Sequence, residues 1–169
     1  MFLLLDTLFG LPGHALIVHA AVVLVPLAVI ALAATGWRKA WRTTYSLPVL
    51  FLASGGTLFA ILAASTGEPL QGSVKRAAES AGAGEVRFGE HPENGNNAEF
   101  MAIVFAVTVV AYWVVDRYGE RLKLPGWMGT GSYALALVPG VLALITMVVA
   151  GHSGAALVWK DVGSYAAGK

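Results

Sequence analysis

The chain has 169 residues, 57% hydrophobic and 12% charged, with a formal net charge of +1 and a mean hydropathy of +0.69. Soluble domains carry about 25% charged residues, so a chain this apolar cannot bury its surface in a core of its own, and lipid must be part of its solvent. The balanced charge gives no basic face for nucleic acid, and the lack of cysteine excludes disulfides, thiolate metal sites, cysteine nucleophiles and iron–sulfur ligation within the chain.

In chain order, residues 1–13 lack the positive n-region and small-x-small site of a signal peptide. They are too short to span a bilayer and carry Asp6, so they read as an interfacial segment ended by Pro12-Gly13. His14 and His19 then head an apolar run with no formal charge until Arg38. This run holds the first of four expected spans, 15–34, 45–65, 98–115 and 133–158. At 1.5 Å rise per residue against a hydrocarbon layer of roughly 30 Å, each is long enough to cross, the third only just. Aromatic residues flank the span ends as interfacial anchors do: Trp37 and Trp41, Tyr45, Trp113 and Tyr118, Trp127 and Tyr133, and Trp159. No internal repeat is visible.

The connections set the orientation. The first holds Arg38, Lys39 and Arg42 with no acid, and the third holds Arg117, Arg121 and Lys123. The middle connection, an expected polar loop over 66–97, carries Lys75, Arg76 and Arg87 against Glu68, Glu79, Glu85, Glu90 and Glu93. The positive-inside rule places the two basic connections in the cytoplasm. The expected fold is therefore all-α, an integral membrane four-helix bundle forming one domain over 1–169, with both termini and loop 66–97 on the outer side. The expected location is a bacterial cytoplasmic (inner) membrane, crossed several times.

That topology gathers His14, His19, His91 and His152 on the outer side. His19 and His152 both fall about one to two turns below the outer surface. An imidazole inside a span is costly without a partner and marks a functional site. Gly151, Ser153 and Gly154 strip bulk from around His152, which suits either close helix packing or a flat macrocycle held between imidazoles on facing helices. His14 and His19 lie about 140° apart around a helix, so they have different jobs, and His14 is expected to meet the loop carrying His91. Pro26 is read as ordinary tolerance of proline in a membrane helix. Ser54-Gly55-Gly56 reads as helix packing. Glu68 falls on the histidine side, where it could orient an imidazole or join a metal site. His91 with Glu90 and Glu93 could bind a divalent ion, but His91-Pro92 and Asn94-Gly95 read first as a polar turn, with Asn97 capping the third helix. No phosphate loop, Ser–His–Asp order or H-E-x-x-H motif occurs, so neither hydrolase nor transferase chemistry has support.

The opening His14-Ala15-Leu16-Ile17-Val18-His19-Ala20-Ala21 and the closing Gly151-His152-Ser153-Gly154-Ala155-Ala156-Leu157-Val158-Trp159 resemble the H-P-x-x-V-H-F-P and G-H-x-G-G-x-L-V-Y motifs of the domain-of-unknown-function family 2231 of bacterial membrane proteins. Ala63-Ala64-Ser65-Thr66-Gly67 and His91-Pro92-Glu93-Asn94-Gly95 look similar to it as well. The sequence departs from the motifs at Ala15, where the family tends to have proline, and at Ala20-Ala21, where it has Phe-Pro. The resemblance runs from His14 to Trp159 and implies four spanning helices without an activity. In outline it is similar to small di-haem membrane cytochromes.

The expected function is haem b binding for electron transfer, with His19 and His152 as ligands and Gly151 and Gly154 beside the ring. One alternative is a non-catalytic accessory subunit of a larger, respiratory-type membrane complex. Another is a Zn or Cu site drawn from His14, His19, His91, His152 and Glu68. The expected partners are the lipid bilayer, and either further subunits of a complex or copies of the same chain. A proton relay is not expected, because the spans hold no other ionisable residue at mid-membrane.

Overall fold

The computed structural model describes residues 7, 8 and 10–166. Four helices form an up-and-down bundle: α1 Gly13–Thr35, α2 Lys39–Ser80, α3 His91–Tyr118 and α4 Trp127–Ala166. All four are long and apolar enough to cross a membrane. The hairpins α1–α2 and α3–α4 are the most extensively packed pairs, α2 joins them through α3, and α4 closes on α1. Ahead of α1, strand β1 (Thr7–Leu8) pairs antiparallel with β2 (Leu11–Pro12). The rest of the expected interfacial segment, residues 1–6 and 9, lies outside the described residues.

The helices outrun the apolar spans. α2 has 42 residues, about 63 Å at the α-helical rise, against roughly 30 Å of hydrocarbon. Most of the loop expected over 66–97 is therefore helix, with only residues 81–90 connecting α2 to α3. The fall in hydropathy at Thr66 marks the edge of the lipid, not the end of the hydrogen-bonded ladder. Pro69 removes one ladder bond without stopping α2, and the Ser73 hydroxyl donates back to the Pro69 carbonyl at 3.0 Å. Asn97 does not cap α3. The N-cap is Glu90, with Pro92 in the first turn, where its missing N–H is no loss, and Glu93 there facing the positive helix end.

The core follows a seven-residue step on every helix. His14, Ala21, Ala28 and Thr35 are on α1; Ser46, Ala53, Ala60 and Gly67 on α2; His91, Ala98, Phe105 and Tyr112 on α3; Tyr133, Gly140, Met147 and Gly154 on α4. Such a step keeps one seam of each helix facing its neighbours in a left-handed bundle. The two middle layers, Ala21, Ala60, Ala98 and Met147, then Ala28, Ala53, Phe105 and Gly140, are buried and apolar. Small residues predominate because membrane helices associate by close packing rather than by exclusion of water. The one large ring is matched to a missing side chain, since a Cβ at Gly140 would lie 2.9 Å from Phe105 Cε2. Phe105→Ala is expected to destabilise the bundle by about 3 kcal/mol, seen as a lower midpoint of thermal unfolding in detergent. An unchanged midpoint would mean that the helices close over the gap.

Polar groups close this core at both ends. His14 and Thr35 are 21 residues apart on α1, about 32 Å, close to the thickness of the hydrocarbon layer. Outward faces carry a continuous apolar surface, including Val23 and Ile30 on α1 and Val138, Ile145 and Val148 on α4. A lipid solvent requires such a surface.

Candidate functional site

One end of the bundle brings a group from each helix to a single polar node. His14 stands in the first turn of α1 and is half-buried. Its Nδ1 lies 2.9 Å from the Ala63 carbonyl oxygen of α2. A carbonyl only accepts, so Nδ1 carries the proton and donates. The Thr66 hydroxyl, already donating to the Leu62 and Ala63 carbonyls, is a further acceptor at 3.4 Å. The His14 ring lies over Gly67, where a Cβ would stand 3.2 Å from Cε1.

α3 and α4 repeat this arrangement. His91 opens α3 and is half-buried, with Nδ1 3.0 Å from the Ser153 hydroxyl oxygen of α4. Ser153 spends its one proton on the Ala150 carbonyl at 3.0 Å, so towards His91 it can only accept, and His91 too donates from Nδ1. The ring lies over Gly154, where a Cβ would stand 2.8 Å from Cε1. The two imidazoles are neighbours, ring centres 6.4 Å apart and planes inclined by 77°. With Nδ1 donating, Nε2 of each ring makes no hydrogen bond among the described residues, and it is the atom through which a neutral imidazole would ligate a metal. A ligating histidine is normally held in this way, its other ring N–H given to an acceptor.

His19 and His152 are placed differently. Val22 packs against the Gly151 position, which brings His19 and His152 within about one turn of each other along the bundle. Both side chains are exposed, however, on the lipid-facing stripes of α1 and α4. His19 turns its Nδ1 to the Ala15 carbonyl of its own helix. No hydrogen bond or ring contact joins His19 to His152 among the described residues. The space left by Gly151 is faced by Val22, and that left by Gly154 is filled by the His91 ring. Glu68 is exposed beside Gly67, Glu90 and Glu93 are exposed at the start of α3, and none bonds a histidine among the described residues.

Ser153, Thr66 and the Ala63 carbonyl are the parts of the node that residue type alone misses, because each acts through an imidazole. Their trace in the sequence is a repeated pair, Thr66-Gly67 and Ser153-Gly154. In each pair a hydroxyl faces Nδ1 and the glycine after it makes room for the ring.

The fold and this node define a four-helix membrane bundle whose core is closed at one end by a histidine pair. A family model described as a predicted membrane protein, DUF2231, matches residues 10–166, and the chain belongs to that family. No curated protein and no solved structure matches it.

Proposed function

We propose that the protein holds one redox metal centre between His14 and His91 and serves electron transfer at the outer face of the bacterial cytoplasmic membrane. The separation of the two rings carries this reading. Two imidazoles bound through Nε2 on opposite sides of one ion, at metal–nitrogen lengths of about 2 Å, put their ring centres about 6 Å apart. The observed separation is 6.4 Å. A tetrahedral arrangement would draw the centres nearer, to about 5 Å.

The donor set narrows the metal. Among the described residues no group of three or more His, Asp or Glu side chains could hold an ion. Zn(II) takes three or four protein donors and is poorly served here. Haem b iron receives four donors from its macrocycle and needs only an axial pair, while Cu(I) accepts two neutral nitrogens. Both metals change oxidation state by one electron, which supports electron transfer. The outer placement rests on the basic connections at the opposite end of the bundle.

The test is the absorption spectrum and metal content of the detergent-purified chain, made in cells replete in haem and copper. Haem would give a Soret band and a reduced α-band, and copper one equivalent per chain by elemental analysis. Either is lost in His14→Ala and retained in His19→Ala. Occupancy falls on acidification, because protons compete for Nε2. A colourless, metal-free preparation would sink the reading and leave the node as a hydrogen-bonded tie between helices.

A further inference from the structure

The opposite end of the core is closed by Thr35, Ser46, Tyr112 and Tyr133, with Arg42 one turn before Ser46 on α2. The Arg42 guanidinium lies over the Tyr133 ring, 4.9 Å from its centre. Tyr133 meets Tyr112 edge to face at 5.8 Å and donates its own hydroxyl to the Ala33 carbonyl at 3.3 Å. Thr35 donates to the Leu32 carbonyl at 2.7 Å. Two polar groups are left over. Among the described residues the Tyr112 hydroxyl, on a side chain 1% exposed, stands beside the Thr35 hydroxyl without a well-formed hydrogen bond, and the buried Nε of Arg42 has no partner. Buried N–H and O–H groups are ordinarily satisfied, so two such donors in one cluster call for an explanation.

The surroundings are positive. The two connections at this end and the helix ends beside them carry Arg38, Lys39, Arg42, Arg117, Arg121 and Lys123 against Asp116 and Glu120. Asp116, one turn beyond Tyr112, is exposed and makes no ion pair with Arg42 among the described residues. The node also lies at the depth of lipid headgroups. It ends the apolar core, and the exposed Trp37 and Trp127 flank it as interfacial aromatics do.

We propose that Arg42 and the Tyr112 hydroxyl form a binding site for a phosphate group, supplied by the headgroup of an anionic phospholipid. A phosphate oxygen is an acceptor suited to both donors, and Arg pairs with it by charge and by geometry. Basic pockets between membrane helices take anionic headgroups in this way. Inorganic phosphate offers the same oxygens, but the depth of the node favours the lipid.

The full chain in neutral detergent tests the site by its unfolding midpoint and by native mass spectrometry of retained lipid. Phosphatidylglycerol is expected to raise the midpoint and to remain bound at one molecule per chain, whereas phosphatidylcholine does neither. Tyr112→Phe keeps the ring and removes only the hydroxyl oxygen, so it leaves the lipid-free midpoint intact and cuts the phosphatidylglycerol shift to less than half. Arg42→Gln abolishes the shift, and Arg121→Gln preserves it. An equal shift from millimolar inorganic phosphate overturns the lipid assignment. An equal shift from phosphatidylcholine, or an undiminished one in Tyr112→Phe, overturns the site; that variant decides the matter even if Arg42→Gln fails to fold.

Discussion

With the proposed metal centre between His14 and His91, purified His91→Ala protein is expected to carry less than about a tenth of the metal of the parent chain, because one of the two proposed ligands is gone and no cluster of three or more His, Asp or Glu is present among the described residues to replace it. The node explains why the loss is nearly complete. His91 is fixed from one side by the Ser153 hydroxyl and from the other by the Gly154 backbone, and it meets His14 at 6.4 Å. Ser153→Ala should be milder, about tenfold in affinity, since it keeps the ligand and removes only the acceptor that orients it. Elemental analysis and equilibrium titration read both. If His91→Ala kept its metal while His152→Ala lost it, the lipid-facing pair His19 and His152 would be the ligands.

The second large effect comes from adding atoms. In Gly154→Val, the new Cβ falls 2.8 Å from the His91 ring and has branches beyond it. Either the ring turns out of its place or α4 moves away from α3, and overpacking of this kind costs about 1–3 kcal/mol. The variant should therefore lose both stability and metal. Gly55→Ala is the control, since a Cβ there meets nothing within 4 Å. It should gain up to about 1 kcal/mol from helix propensity and keep its metal. A Gly154→Val protein with normal metal content would show that the ring has room that the packing does not suggest.

The four spans were legible because a run of apolar residues states directly where lipid is. Helix ends were not, because past Thr66 and before Ala98 the solvent changes while the backbone ladder continues. The histidines stood out by type, and the meeting of His14 with His91 followed from the 140° that separates His14 from His19. The choice of His19 and His152 as the ligand pair rests on matched depth and on the small residues around His152. Depth fixes the level of a side chain along a helix, and direction around the helix decides what it touches. The directional signal was present in the seven-residue step. Counting back from Ala28 through Ala21 reaches His14, and counting back from Phe105 through Ala98 reaches His91. His19 and His152 are off those seams, which is why they face outward. The acceptor groups were hidden for another reason: a backbone carbonyl such as that of Ala63 has no letter of its own.

Each histidine receives its acceptor from the other helix of its own hairpin: His14 of α1 from α2, and His91 of α3 from α4. Each hairpin thus supplies its own imidazole with an acceptor, without drawing on the other half. The linker over residues 81–90 need only keep the halves together. A centre bound across this seam acts as a clasp, so occupancy would report assembly as directly as it reports chemistry. Two chains that exchanged hairpins would build the same pair twice over.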